Sequence, residues 1–307
     1  MLSIHTNYTS LLTQNNLNKT SGAMDQAMQR ISTGFRINSA ADDAAGLQIA
    51  TRLQSQVNGL SVASRNAQDA TSMLQTAEGA FDEMTNISHR MKDLATQAAN
   101  GTNSTDEHAA MQAEWDQLAE ELLSVIDNTQ YGAGNSLFGA PDASNPDAIL
   151  PGGIFTDAIT FQIGSSTAET LTMDVSDGVA AVRLAIGEAG VGVDTDGNPN
   201  PGTGLFSVDL ADVAGGGAAN GMDRVDGLLG DIGSIRGEFG ATINRLDHTV
   251  VNLGNMRENT EMAKGRIMDT DYAVESSNMM KNQMLTQMSM SMLSQANGMS
   301  GMVMSLI

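Results

Sequence analysis

The side chains of this chain that could do chemistry are four histidines, three pairs of neighbouring carboxylates and two glycine-containing loops. No two of His5, His89, His108 and His248 stand at metal-ligand spacing, and Glu107-His108 does not extend to HExxH. There is no Cys, so disulfides, thiolate nucleophiles and zinc–thiolate sites are absent. Asp194-Thr195-Asp196-Gly197-Asn198 approaches a calcium loop. Its glycine comes early and the closing Glu is missing, so it reads as a turn. Gly215–Gly217 lacks the Lys-Ser/Thr of a phosphate loop, and GxSxG is missing. Asp42-Asp43, Glu120-Glu121 and Asp269/Asp271 suit helix caps and solvated surface. Nothing activates a nucleophile or a water, so no catalytic residue, metal or cofactor is expected, and no enzyme.

What stands out instead is a tail. Ser276 to Ile307 holds nine of the 21 Met, and its only charged side chain is Lys281. Met279, Leu285 (or Met284), Met288, Met292 and Leu293 recur at three- and four-residue steps, which places them on one helical face. Burial of each large apolar side chain stabilises by roughly 1.5–3 kcal/mol, whereas ordering each backbone costs about 1–2 kcal/mol. Alone the segment is expected to stay disordered; against another helix it can be held. With few rings or large aliphatics elsewhere to join, the Met stripe reads as an assembly interface rather than a core. An amphipathic membrane helix would carry more cations than Lys281.

Composition narrows the partners. The net charge is −21, from 36 acidic and 15 basic residues, so nucleic acid and anionic membranes would be repelled. Aromatics are 4%, which suits slender helices lying close together. The opening MLSIHTNYTSLLTQNN is not a Sec-type signal, and no run is long enough to span a membrane. The expectation is a cytosolic chain, or one exported by a route that ignores cleavable signals.

The elements follow from periodicity. The terminal segment 1–42 opens with a polar-rich helix over residues 1–35, with a thin apolar stripe of Leu11, Leu17, Met24, Met28, Ile31 and Phe35, and Gly34 can end it. Ser39 with Asp42 resembles a capping box for the next helix. Residues 43–190 open with a long helix. Its seam is Leu60, Ala63, Ala67, Ala70, Leu74, Ala77, Phe81, Met84, Ser88, Met91, Ala95 and Ala98, a heptad pattern sustained for more than five repeats; with its start near Asp43 the helix has about 56 residues and spans about 84 Å. Asn100-Gly101 ends it. Ser104 and Glu107 cap an antiparallel helix to about Asn128, with Met111, Trp115, Leu118, Leu122 and Val125/Ile126 on one face. Ile159–Ile163 and Thr170–Val175 form a hairpin around GSSTAE, and Val179–Ile186 a short helix. Between Gly139 and Gly217 there are eleven acidic residues and one basic, Arg183. Residues 191–220 are a short irregular segment. Residues 221–268 return as a helix with Met222, Val225, Leu229, Ile232, Phe239, Ile243, Leu246, Val250 and Leu253 at seam spacing. Gly227, Gly230, Gly233, Gly237 and Gly240 form a second stripe, where another backbone approaches or the helix is pliable. Residues 269–307 begin at Asp269-Thr270-Asp271 and form the tail helix. The fold class is mainly α: long antiparallel coiled-coil helices, a small β-hairpin region in the middle, and paired terminal helices.

These motifs have a family resemblance. LLTQNNLNKT and QRISTGFRINSAADDAAGLQIATRL, then SRNAQDATSMLQTAEGAFDEM and RMKDLATQAANGTNS, resemble the amino-terminal signature of bacterial flagellin. GNMRENTEMAKGRIMDTDYAVESSNMMKNQML resembles its carboxy-terminal signature. The short, Met-rich form is more similar to lateral, swarming flagellins with little or no outer domain. The resemblance implies a secreted structural subunit, exported unfolded through the flagellar type III apparatus, that forms a helical homopolymer in the extracellular filament of swimming or swarming bacteria. Implied partners are an export chaperone on Asp271–Ile307 and hook-associated junction and cap proteins; membrane insertion is not implied. A polymerisation core of Leu11, Leu17, Met24, Met28, Ile31, Phe35, Leu285, Met288, Met292 and Leu293 follows. Innate immune recognition is implied too. Arg90, Leu94 and Glu114 match a Toll-like receptor and inter-subunit surface, although His89 and Lys92 depart from the recognised pattern. Val303 and Leu306 match a cytosolic sensor contact. A hook–filament junction protein shares the end-helix plan, an enzyme carried in the middle would need a metal motif, and a membrane-active tail would leak liposomes.

Overall fold

The computed structural model describes residues 7–132, 134–139, 153–186, 205, 208–210 and 216–304, with side chains as far as 298. Most of segment 191–220 lies outside them. Among the described residues six α-helices carry the chain: α1 Tyr8–Thr33, α2 Ala44–Ala98, α3 Thr105–Asn128, α4 Ser176–Ile186, α5 Gly217–Met268 and α6 Tyr272–Met304. Two antiparallel pairs complete it, β1 Gln130–Tyr131 with β2 Asn135–Ser136 and β3 Ile159–Gln162 with β4 Thr170–Met173. Residues fall into two compact units, 1–58 with 256–307 and 59–255. The division between these units falls within α2 and α5, and in the first unit the chain around the ends of those helices packs together: Lys264 Nζ donates to Gln54 Oε1 and Arg36 Nη2 to the Ile267 carbonyl.

Unit 59–255 holds the core. Every position of the expected α2 seam from Leu60 to Ala98 is buried, Ser88 among them. Ser88 is tolerated there because its hydroxyl donates to the Met84 carbonyl at 2.7 Å. Small residues let neighbours approach, and four phenylalanines form a cluster in this core. Phe81 of α2 lies 5.0 Å from Phe138 and 5.8 Å from Phe239 of α5, and Phe155 lies 5.2 Å from Phe239. The helices run antiparallel, as cross-links show: Arg90 of α2 to Glu114 of α3, Lys92 of α2 to Asp226 of α5, and Asp82 of α2 to Arg236 of α5. On α3, Met111, Trp115, Ala119, Leu122 and Ile126 are buried. Trp115 donates its indole N–H to the Leu205 carbonyl at 3.0 Å. Gly221 lets α5 pass close by, since a Cβ there would meet Trp115 at 3.3 Å and Val208 at 3.1 Å.

Several local expectations change. The α5 seam runs Val225, Leu228, Ile232, Ile235, Phe239, Thr242 and Leu246, so Leu228 and Ile235 are its members while Leu229 flanks it half-buried. Gly101 does not adopt positive φ; α2 ends in an asparagine turn, with Asn103 Nδ2 on the Gln97 carbonyl and its N–H on that of Asn100. Ser39 and Asp42 do not cap α2. The Asp42 carboxylate accepts from the backbone N–H groups of Asn38 and Ser39, and Asp43 Oδ1 takes the Gly46 N–H at 2.8 Å. Ser104 and Glu107 do form the reciprocal capping box. The hairpin pairs Ile159 with Met173 and Gln162 with Thr170. The small β1–β2 pair has too few residues to leave a period in the sequence.

Candidate assembly interface

In unit 1–58 with 256–307, helices α1 and α6 lie against each other. They are antiparallel: Tyr272 OH donates to the Ile31 carbonyl at one end, and Asn7 Nδ2 to the Ala296 carbonyl at the other. Sequence dictates both ends. Asn7 Oδ1 accepts from the Ser10 N–H, and Gly34 closes α1 at φ 76, a left-handed conformation with no Cβ to clash. Asp271 opens α6 by accepting from the Ala273 and Val274 N–H groups. A short bridge fastens the joint. Phe35 pairs with Asp269, the Thr270 N–H donates to the Gly34 carbonyl, and the Arg36 N–H donates to that of Met268.

The faces turned together are not the greasy ones. On α1 the positions shielded from solvent step as Ser10, Thr13, Leu17, Thr20, Met24, Ala27 and Ile31. On α6 they step as Glu275, Met279, Asn282, Thr286, Ser289, Leu293 and Ala296. Both sets alternate threes and fours, the period of a coiled-coil seam. Most members are small or polar. Thr13, Thr20 and Thr286 donate their hydroxyls to carbonyls four residues back, on Thr9, Asn16 and Asn282, so they need no partner across the seam. Glu275 is buried 3.8 Å from Arg30.

Most of the large apolar side chains point away. Of the expected polymerisation core, Leu17, Met24, Ile31 and Leu293 sit in the seam. Leu11, Met28, Phe35, Leu285, Met288 and Met292 are exposed, by 41% to 63%. Leu12, Met280, Met284 and Met290 join them. Met279 and Leu293 therefore do not share a face with Met288 and Met292. The tail's periodicity contains two faces, a seam of small residues and an outer face of methionine. The Met stripe, read from sequence as an assembly interface, faces outward except for Met279 and Leu293; the signal for the seam within the chain was the run of small and polar residues at heptad spacing. An apolar surface of this extent on a monomer marks an interaction site.

The remaining expected sites fall as follows. Arg90 and Glu114 are exposed and joined, with Nε and Nη2 at 2.9 and 2.6 Å from one carboxylate oxygen. Leu94 is not at the surface: at 2% exposure it belongs to the core, because its position on α2 falls beside the Met91–Ala95 seam. Leu306 and the Val303 side chain lie outside the described residues. The carboxylate pairs act locally. Hydrogen bonds from the Asn38 and Ser39 backbones and the Gln26 side chain hold the Asp42 carboxyl below the usual range, and bonds from Ser104 do the same for Glu107. A groove beside α5 is lined by Glu258, Glu261, Met262, Gly265, Arg266, Asp269, Thr270 and Asp271; it contains no nucleophile paired to a base. Among the described residues no three His, Asp or Glu converge as metal ligands, and no helix is long and apolar enough to cross a membrane.

Comparison with known proteins places this geometry. The family model for the bacterial flagellin N-terminal helical region matches residues 4–140, and that for the C-terminal helical region matches 222–307. Flagellin A of Vibrio anguillarum is 35% identical over 378 aligned positions, covering 100% of this chain and 99% of that protein. Polar flagellin F of Vibrio parahaemolyticus serotype O3:K6 is 34% identical, covering 96% of each. Both alignments exceed the 307 residues of this chain, so these relatives carry insertions. Among solved structures, a Vibrio parahaemolyticus protein provisionally assigned as flagellar hook-associated shares the fold at TM-score 0.53 and 15% identity, covering 74% of this chain and 100% of its own. The Bacillus cereus flagellin crystal structure aligns at TM-score 0.45 and 30% identity, over 62% of this chain and 88% of its own.

Proposed function

The chain belongs to the bacterial flagellin family and is a structural subunit of the extracellular flagellar filament, and from that premise we propose that it polymerises through the outward faces of α1 and α6. It is not an enzyme, and its established partner is itself. The observation that carries the proposal is the inversion at the terminal pair: the seam within the chain is small and polar, while Leu11, Met28, Phe35, Leu285, Met288 and Met292 are left in water. Neighbouring copies supply the apolar partner these side chains lack. The test is Met288→Asp. The charge stays solvated in the monomer and is buried in the polymer at a cost of several kcal/mol. The variant is expected to keep the helical circular dichroism of the native chain and to fail to elongate short filament seeds. Normal elongation would overturn the proposal.

The finer assignments rest on the same premise. Residues 1–42 and 269–307 make the terminal helix domain, 43–190 and 221–268 the stalk, and 191–220 a short outer or linker segment. The chain is exported unfolded through the type III apparatus, with an export chaperone on 271–307 and junction and cap proteins at the filament ends. The nearly uncharged tail supports the chaperone site, and loss of co-purification on deleting 271–307 checks it. Brevity beside full-length polar relatives supports a lateral, swarming type, in which case deleting the gene stops surface swarming but not swimming. Receptor and inter-subunit contact falls to the exposed Arg90–Glu114 pair, with Leu94 supporting it from beneath; Val303 and Leu306 are the proposed sensor contact. Arg90→Ala with Glu114→Ala should lower the response of Toll-like-receptor reporter cells severalfold, and an unchanged response would remove that site.

A further inference from the structure

The methionines of this chain include two contrasting groups. Met73, Met84, Met91, Met111 and Met173 are buried in unit 59–255. Met280, Met284, Met288, Met290 and Met292 on the outer face of α6 are each more than half exposed. Leucine would supply the same apolar burial to a polymer. What methionine adds is a thioether that accepts one oxygen atom. There is no Cys to react first.

We propose that the outer methionine face of α6 is a peroxide-sensitive modification site whose oxidation blocks subunit addition. This rests on the assembly reading above. In each event a sulfur–oxygen bond forms as the O–O bond of hydrogen peroxide breaks. The thioether loses two electrons and the peroxide leaves as water. The sulfoxide is polar and asks for hydrogen-bond donors. Water satisfies the oxygen in the monomer; a neighbour closing over the face strips that water and meets a polar group in place of an apolar one, and the donors on this helix, Lys281 with the amides of Gln283 and Gln287 and the Ser291 hydroxyl, are themselves taken from water. The α1–α6 seam is untouched, because its members carry their own hydrogen bonds and Met279 and Met24 are partly shielded. The modification is reversible by the paired methionine sulfoxide reductases with a thiol reductant. Chains already in the filament are shielded by their neighbours, so the site acts on free subunits.

The test uses full-length monomer from dissociated filaments, treated with hydrogen peroxide and quenched with catalase. Peptide mass spectrometry is expected to show oxygen on Met284, Met288 and Met292 well before Met84 and Met91. Seeded elongation should fall by at least about tenfold and return after treatment with both reductases. Intact filaments given the same dose should stay unoxidised on α6. A Met284→Leu, Met288→Leu, Met292→Leu variant should elongate seeds after peroxide; reductase rescue of the native chain carries the test independently of it. Equal oxidation of Met84 and Met284, or oxidised α6 with undiminished elongation, overturns the proposal while leaving the assembly reading intact. Failure of untreated monomer to elongate seeds would instead overturn that reading, and this proposal with it.

Discussion

Arg183 shows how one residue can be misjudged from sequence. It is the single cation in a long acidic stretch, which reads as a solvated charge among solvated charges. The structure buries it: Nη1 donates to the carbonyls of Phe138 and Gly139, and Nη2 reaches Asp127 at 3.2 Å. The guanidinium fork thereby ties α4 to the end of α3 and to the turn carrying Phe138. A buried ion pair adds little over a well-packed apolar pair, but removing one partner is expensive, about 3–5 kcal/mol. Arg183→Ala should therefore lower the stability of unit 59–255 by about that amount in urea titrations monitored at Trp115; a change under about 1 kcal/mol would mean that water replaces the fork. Nothing in the local spacing announced these bonds, because both carbonyls and Asp127 come from segments far away in the chain.

At the scale of elements, legibility followed period. The α2 seam was readable to its last position because a heptad over a long helix admits one face. The hairpin and the α3 capping box were readable because turn and cap residues act locally. On α6 two faces were interleaved, and hydrophobicity marked the outer one, while the seam within the chain, being mostly small and polar, left little hydrophobic signal. The choice between them depends on what lies outside the chain, which no local period encodes. The α5 glycines raise a related point. A Cβ at Gly227, Gly230, Gly233, Gly237 or Gly240 would meet nothing within 4 Å, so among the described residues no backbone approaches them. Gly230→Ala and Gly233→Ala should each stabilise the monomer by roughly 0.5–1 kcal/mol in thermal or denaturant unfolding. A loss of stability would show that the helix needs those positions pliable.

For the whole molecule, the two units differ in what they have buried. Unit 59–255 encloses Trp115, the phenylalanine cluster and the α2, α3 and α5 seams. In the other unit the buried apolar residues are Ala27, Ile37, Ala50, Val57 and Ala296 among those described. Local stability tracks buried contacts. Hydrogen exchange of the monomer is therefore expected to be orders of magnitude faster in α1 and α6 than around Phe81 and Phe239, and to slow in α1 and α6 on polymerisation; uniform protection in the monomer would contradict this. The same inverted seam has a consequence for counting. Two free chains offer each other faces on a helix pair that buries few apolar residues, so starting a polymer requires several chains to come together at once. An existing end presents its faces already fixed. Growth from ends outruns the birth of new polymers, an unseeded solution lags until seeds are supplied, and the number of propellers on a cell is set by the number of places where it begins one.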